Sequence, residues 1–290
     1  MHPKEKALVD RRKFEAEVPN DLWQSDVMHG PMVAGNGKQH KTYLIAIIDD
    51  HSRLIVYARF YLSENVASYL DALENGLARR GLPKKLYVDN GAAFRSNHLE
   101  YVCASLSIAL IHAKPYLPQG KGKIERYFKT VRTRFLPHCQ AATLADLNTA
   151  FEIWLLEDYQ QKIHSATGQT PFDRFTSKMH CLRTAPVNLK DHFRKVVRRT
   201  VGKDRTLTID GRLYEGPVAL IGKRVELLYH PGNPEQVEAR YKNESFGMVR
   251  PVNLNVNYRV KRDKNNNPQM DVNFKKTSYQ GGKLWGGKNE

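Results

Sequence analysis

The sequence predicts a mixed α/β domain built on a central sheet, followed by a small all-β barrel. Three observations carry this expectation. Up to about residue 178, apolar runs of strand length alternate with segments of helical periodicity. From Thr206 the pattern changes to short alternating strands separated by tight turns. Between the two, "RKVVRRTVGKDR" from Arg194 to Arg205 places six basic residues in twelve positions.

Taken in order, residues 1–20 mix charges without apolar periodicity and read as an arm or linker. The first strand-like run is "LWQSDVMHG", which contains Asp26. "KTYLIAIIDDHSR" and "LIVYARFYL" are near-continuous apolar runs joined through Asp49-Asp50-His51-Ser52, which predicts an antiparallel hairpin in the middle of a sheet. A helix follows, with Ser63 or Asn65 as cap and Val66, Tyr69, Leu70, Leu73 and Leu77 on one side. It stops near Gly81-Leu82-Pro83. The strand "KKLYVD" ends on Asp89, before an Asn90-Gly91 turn. A helix from Asn97 to Leu106 and a strand "IALIHA" come next. The following helix carries Glu125, with Ile124, Phe128, Val131 and Phe135 at helical spacing. Thr143 and Asp146 resemble a capping pair for a long amphipathic helix that runs to near His164. This order gives a mixed sheet of five strands covered by helices. The boundaries read as arm 1–20, α/β domain 21–178, basic linker 179–200, barrel 201–255 and basic flexible tail 256–290.

Composition narrows the function. Forty-six Lys and Arg against thirty Asp and Glu give a formal charge of +16, which points to a polyanionic partner, nucleic acid first. The excess is concentrated from residue 176 onward, where the net charge is +12. No apolar run approaches the roughly 20 residues of a spanning helix, and no signal peptide is apparent, so no membrane partner is expected. Cys103, Cys139 and Cys181 are too few and too far apart for a disulfide framework or a zinc site. Cys103 falls on an apolar helix face with Leu99, Val102 and Leu106 and reads as core.

The chemistry centres on "PYLPQGKGKIERYFKTVRTRFL", Pro115 to Leu136, where one carboxylate sits in a field of positive charge. Taken alone, Glu125 with Lys121 and Lys129 reads as ordinary i,i+4 pairing worth a few tenths of a kcal/mol. Asp26 and Asp89, each on its own short strand, change that reading. Three carboxylates on separate elements, if the fold gathers them, hold hard divalent cations. Lys121, Lys123, Arg126, Lys129 and Arg132 are expected to meet phosphates, as are Arg194, Lys195, Arg198 and Arg199 of the basic stretch. Binding to backbone phosphate predicts an affinity that falls steeply with salt. Tyr116 is a weaker candidate for stacking on a base, and His112 and His164 read as structural.

Asp26 in "LWQSDVMHG", Asp89 in "YVDNGAAF" and Glu125 in "PYLPQGKGKIERYF", with 35 residues between the last two, resemble the acidic triad of the DDE transposases and retroviral integrases. The hairpin "IIDDHSR" and the segment "HSATGQTPFDRF" support the resemblance, and the β-rich region is similar to the barrel that follows the catalytic domain in Mu-type transposases.

The resemblance implies a ribonuclease H-like catalytic domain and metal-dependent phosphoryl transfer at DNA. Mg²⁺ would be the cofactor, with Mn²⁺ as substitute, and Asp26 would bridge two ions completed by Asp89 and Glu125. Asp49 and Asp50 lie past the catalytic strand of that pattern and are assigned to hairpin or Arg53 contacts. The partners implied are transposon ends, target DNA, further copies of the chain and an accessory ATPase docking near Leu284-Trp285. The implied setting is the bacterial cytoplasm and nucleoid. One departure is that relatives usually carry helix-turn-helix domains ahead of the catalytic domain, where this sequence has about 20 residues. Two rival readings are a ribonuclease H-like nuclease that cuts without joining, and a catalytically idle DNA-binding assembly subunit.

Overall fold

β1 (Leu22–Gly35) pairs antiparallel with β2 (Lys38–Asp49), and β2 pairs antiparallel with β3 (Ile55–Tyr61). Ile45 and Ile47 of β2 face one apolar cluster while Leu44, Ala46 and Ile48 face another. Burial on both faces is why this strand reads as a continuous apolar run. β4 (Lys85–Val88) and β5 (Ala109–His112) add in parallel beyond β1, giving the order β3-β2-β1-β4-β5. The computed structural model describes residues 14–113, 121–231 and 233–252, and Cα packing divides the chain after Lys195 into two units.

In the first unit, α1 (Val66–Arg80) and α2 (Asn97–Ser105) cover one face of the sheet, packing with Trp23, Ile45 and Leu86. Asn65 caps α1 by accepting from the Ser68 amide at 2.9 Å, a contact worth about 1 kcal/mol. The helix ends at Gly81, whose φ of 81° and close approach to the Arg183 carbonyl oxygen exclude a side chain. The other face is covered by α3 (Gly122–Thr130) and α4 (Leu144–Trp154), which lay Ile124, Phe128, Leu147 and Phe151 against Leu44, Ala46 and Ile48. Thr143 and Asp146 form a complete capping box. α4 continues as a π-helical turn and ends at Tyr159, short of the expected His164.

The outer edge of the sheet is closed by side chains. Asn148 accepts from the Phe60 amide at 2.8 Å and donates to its carbonyl at 3.0 Å. Gln160 does the same for Ile55, at 3.3 and 2.8 Å. Two amides from the helical layer thus occupy strand edge that would otherwise be open to pairing.

The described part of the N-terminal arm, residues 14–20, is docked on this unit. Glu15 pairs with Arg53 at 2.7 Å and with Arg174, which holds its carboxyl below the usual range against the opposing effect of burial. Asp49 and Asp50 serve this docking and the hairpin turn, and Arg53 turns instead to Glu15. Asp49 accepts from the Asn20 amide and from both the amide and hydroxyl of Ser52, and burial pushes its carboxyl up to about 6.

The second unit is a six-stranded sheet. Its strands are β6 (Lys195–Thr200), β7 (Thr206–Ile209), β8 (Arg212–Glu215), β9 (Arg224–His230), β10 (Asn233–Tyr241) and β11 (Glu244–Pro251). In the order β6-β9-β10-β11-β8-β7 they roll into a nearly closed barrel around Leu207, Tyr214, Leu227 and Val237. Asp210 and Gly211, both at positive φ, make the two-residue hairpin turn between β7 and β8. The stretch expected as a linker at 179–200 is partly strand, because "KVVRRT" pairs beside β9 and supplies Val197 to the barrel interior. The barrel therefore begins about five residues before the expected boundary. The expected tail from residue 256, with Leu284-Trp285, lies outside the described residues.

Candidate active site

Gln24 lies opposite Tyr87 in the parallel pair of β1 and β4. Two residues further along stand Asp26, on β1, and Asp89, just past the end of β4. Strand alternation decides where they point. Asp26 shares a strand face with Met28, which packs in the cluster holding Ile124 and Phe128 of α3. Leu86 and Val88 face the opposite cluster, so Asp89 also turns toward the α3 side.

The two carboxylates meet on one cation. Lys121 Nζ lies 3.0 Å from Asp26 Oδ1 and 3.4 Å from Asp89 Oδ2. Only 9% of Lys121 is exposed, although it sits at the mouth of a basic helix. Its backbone marks the start of α3, where its carbonyl accepts from the Glu125 amide at 3.1 Å. Glu125 is thereby one helical turn along, on the same side of the helix as Lys121. Its side chain is exposed, while Ile124, Tyr127 and Phe128 carry the packing. Among the described residues no three His, Cys, Asp or Glu side chains are drawn together as metal ligands are. Two of the expected acids are drawn together around the ammonium instead.

Asp89 has a second anchor. Its Oδ1 accepts from the Gly91 amide at 2.8 Å, and a Cβ on Gly91 would lie 3.0 Å from that same oxygen. Asn90 donates to the Ala113 carbonyl at 2.6 Å, tying the turn to the end of β5. The Asn-Gly pair thus shapes the turn and also holds the carboxylate in place. His112 Nδ1 contacts the Asp89 carbonyl at 3.2 Å, a structural role, and His164 is likewise held within its own loop.

α3 is fastened from behind by Lys123. This residue, expected on phosphate, turns inward to Asp50, whose side chain is fully buried. Asp50 also accepts from the Ala16 amide at 2.8 Å and from Gln24 at 2.7 Å. Burial lowers the Lys123 ammonium, and Asp50 opposes that shift. Lys123 further donates to the Phe14 carbonyl and lies 4.6 Å from the centre of the Phe14 ring. The signal available in sequence was weak, since a lysine stem buries easily on an otherwise polar helix face.

The remaining basic candidates divide. Arg126, Lys129 and Arg132 are exposed along the α3 run. Arg194 pairs with Asp191, and Arg198 binds Glu226 at 2.8 Å through a single carboxylate oxygen. Arg199 donates to the carbonyls of Thr208 and Arg198. Lys195 lies on β6. Tyr116 and the loop Pro118-Gln119-Gly120 lie outside the described residues. No described helix is long and apolar enough to cross a membrane.

Two protein families match the chain. Residues 16–118 match the integrase core domain family, and residues 190–246 match the Mu transposase C-terminal family. The chain is 29% identical over 259 residues to the transposase for transposon Tn552 of Staphylococcus aureus, a match covering 79% of this chain and 53% of that protein. It is 33% identical over 115 residues to the Gag-Pro-Pol polyprotein of Mason-Pfizer monkey virus, covering 40% of this chain and 6% of the polyprotein. The chain thus spans about half the length of the transposase it matches. Among solved structures, 87% of it aligns with 86% of a chain in the simian T-cell lymphotropic virus intasome in complex with PP2A regulatory subunit B56 gamma. That likeness, at TM-score 0.51 and 18% identity, is one of fold.

Proposed function

Because this chain belongs to the superfamily of transposases and retroviral integrases, we propose that it is a DDE-type polynucleotidyl transferase, nicking DNA 3′ ends and joining them to target DNA. One observation carries the reading: Asp26 and Asp89, remote in sequence, meet a single cation at 3.0 and 3.4 Å, one helical turn from Glu125. Oxygen donors of this kind suit Mg²⁺ or Mn²⁺, and Asp26, Asp89 and Glu125 would hold them. Bound there, such ions supply Lewis-acid activation of the attacking oxygen and neutralise charge on the leaving oxygen.

The protein's own share is placement. Asp26 stands on the central strand β1, and its Oδ1 accepts from the Val27 amide at 2.9 Å. Asp89 is held by the Gly91 amide, and Glu125 rides on a helix locked by Lys123 and Asp50. Arg126, Lys129 and Arg132, exposed along the α3 run, would contact the DNA backbone without reading its sequence. The barrel would add further phosphate contacts, and two or more copies would bridge paired ends.

The test is to incubate the protein with a 3′-hydroxyl duplex end, taken from the DNA flanking its coding region, and supercoiled plasmid in Mn²⁺. Joined end-plasmid products are expected. Plasmid cleavage without joining would replace this reading with a nuclease, and binding alone would replace it with an idle assembly subunit.

A further inference from the structure

We propose that Lys121 is a built-in counter-cation of the acidic pair, which a divalent ion must displace and which DNA phosphate helps to withdraw. The inference rests on the metal reading of the site and adds a regulatory residue to it. Lys121 is the most enclosed basic side chain of the α3 run: 11% of its side chain is exposed, beside 19% for Asp26 and 40% for Asp89. Its ammonium stands within hydrogen-bond reach of one oxygen from each acid, which is where an ion shared by those two carboxylates would be drawn. A divalent ion and an ammonium cannot both occupy that place, since like charges at such range repel strongly.

The anchor and the head of Lys121 differ in freedom. Its backbone is fixed by the Glu125 amide bond at the first turn of α3, whereas a four-carbon stem lets the ammonium swing outward. Among the described residues, the exposed charged side chains nearest along α3 are Glu125, Arg126 and Lys129. With Glu125 turned to the metal and the other two cationic, a displaced ammonium would have a phosphate oxygen as its acceptor. Metal entry and phosphate contact therefore assist each other, and linkage makes the assistance reciprocal. Without DNA, the ammonium keeps the carboxylates compensated and lowers the affinity for free metal.

The test measures Mn²⁺ binding without DNA, from the loss of the free-ion electron paramagnetic resonance signal, for wild type, Lys121→Gln, Lys121→Arg and Asp26→Asn. Lys121→Gln is expected to bind Mn²⁺ about tenfold more tightly than wild type, the scale on which a neighbouring charge acts. Lys121→Arg, which keeps the charge, is expected to stay near wild type. Circular dichroism melts of each variant verify folding, and Lys121→Met stands in if the glutamine variant melts early. Equal or weaker binding by both neutral variants, with saturable Asp26-dependent binding in wild type, would overturn the counter-cation role and leave the metal site standing. Absence of Asp26-dependent binding in every protein would overturn the metal reading, and this inference with it.

Discussion

Glu125→Gln is expected to leave a folded, DNA-binding protein whose rate of end joining falls by on the order of 10³ or more. A Lewis-acid ion contributes several kcal/mol of transition-state stabilisation, and each 1.36 kcal/mol is a factor of ten in rate. The substitution removes one charge and keeps the shape of the side chain. Because Glu125 is exposed and its neighbours Ile124, Tyr127 and Phe128 do the packing, stability is expected to change by less than about 0.5 kcal/mol. Joined products counted on gels, beside a thermal melt of the same preparation, separate the two effects. Joining within a few-fold of wild type would remove Glu125 from the reaction.

Lys123→Met is expected to be the most damaging single change to the fold around the site. Asp50 is wholly buried and is balanced by Lys123, the Ala16 amide and Gln24. Removing the ammonium leaves a carboxylate without its counter-charge, at a cost of about 3–5 kcal/mol. A double variant with Asp50→Asn is expected to recover much of that loss, because the two sites are directly coupled. Urea unfolding of the two singles and the double measures this. If Lys123 were a phosphate contact, the outcome would reverse: stability unchanged and DNA affinity reduced.

Several features could be read from the residues because their cause is local. The Asn65 cap, the Thr143–Asp146 box and the Asp210-Gly211 turn are each decided by neighbours within four positions. The antiparallel pairing of β2 with β3 could be read from two successive apolar runs, although the hairpin lies at the edge of the sheet and not in its middle. The strand order, which brings the end of β4 beside β1 and Asp89 near Asp26, rests on pairings between distant segments and was not legible. The features that escaped depend on distant partners. Docking of residues 14–20 rests on Asp49, Asp50, Arg53 and Arg174, at separations from 29 to 159 residues, and such contacts leave no periodicity. β6 was hidden because three of its six residues are Arg or Lys, which masks strand alternation. Lys121 and Lys123 were grouped with the phosphate-binding residues by charge alone. Helix geometry sends one to Asp26 and Asp89 and the other to Asp50.

The two lysines give α3 a double attachment. Lys123 ties it to the hairpin turn through Asp50 and to the arm through Phe14, while Lys121 ties it to the acids. Only the second attachment can be exchanged for a metal ion without exposing a buried charge. On this account α3 stays in place while its leading side chain changes partner.

The most direct measurement is the position of Mn²⁺ in crystals grown with the ion, read from its anomalous scattering. A peak is expected between the Asp26 and Asp89 carboxylates, in the place of the Lys121 ammonium, with Glu125 turned in as a further ligand. A peak held by other side chains, or Lys121 still seated between the two acids with Mn²⁺ bound elsewhere, would contradict that expectation.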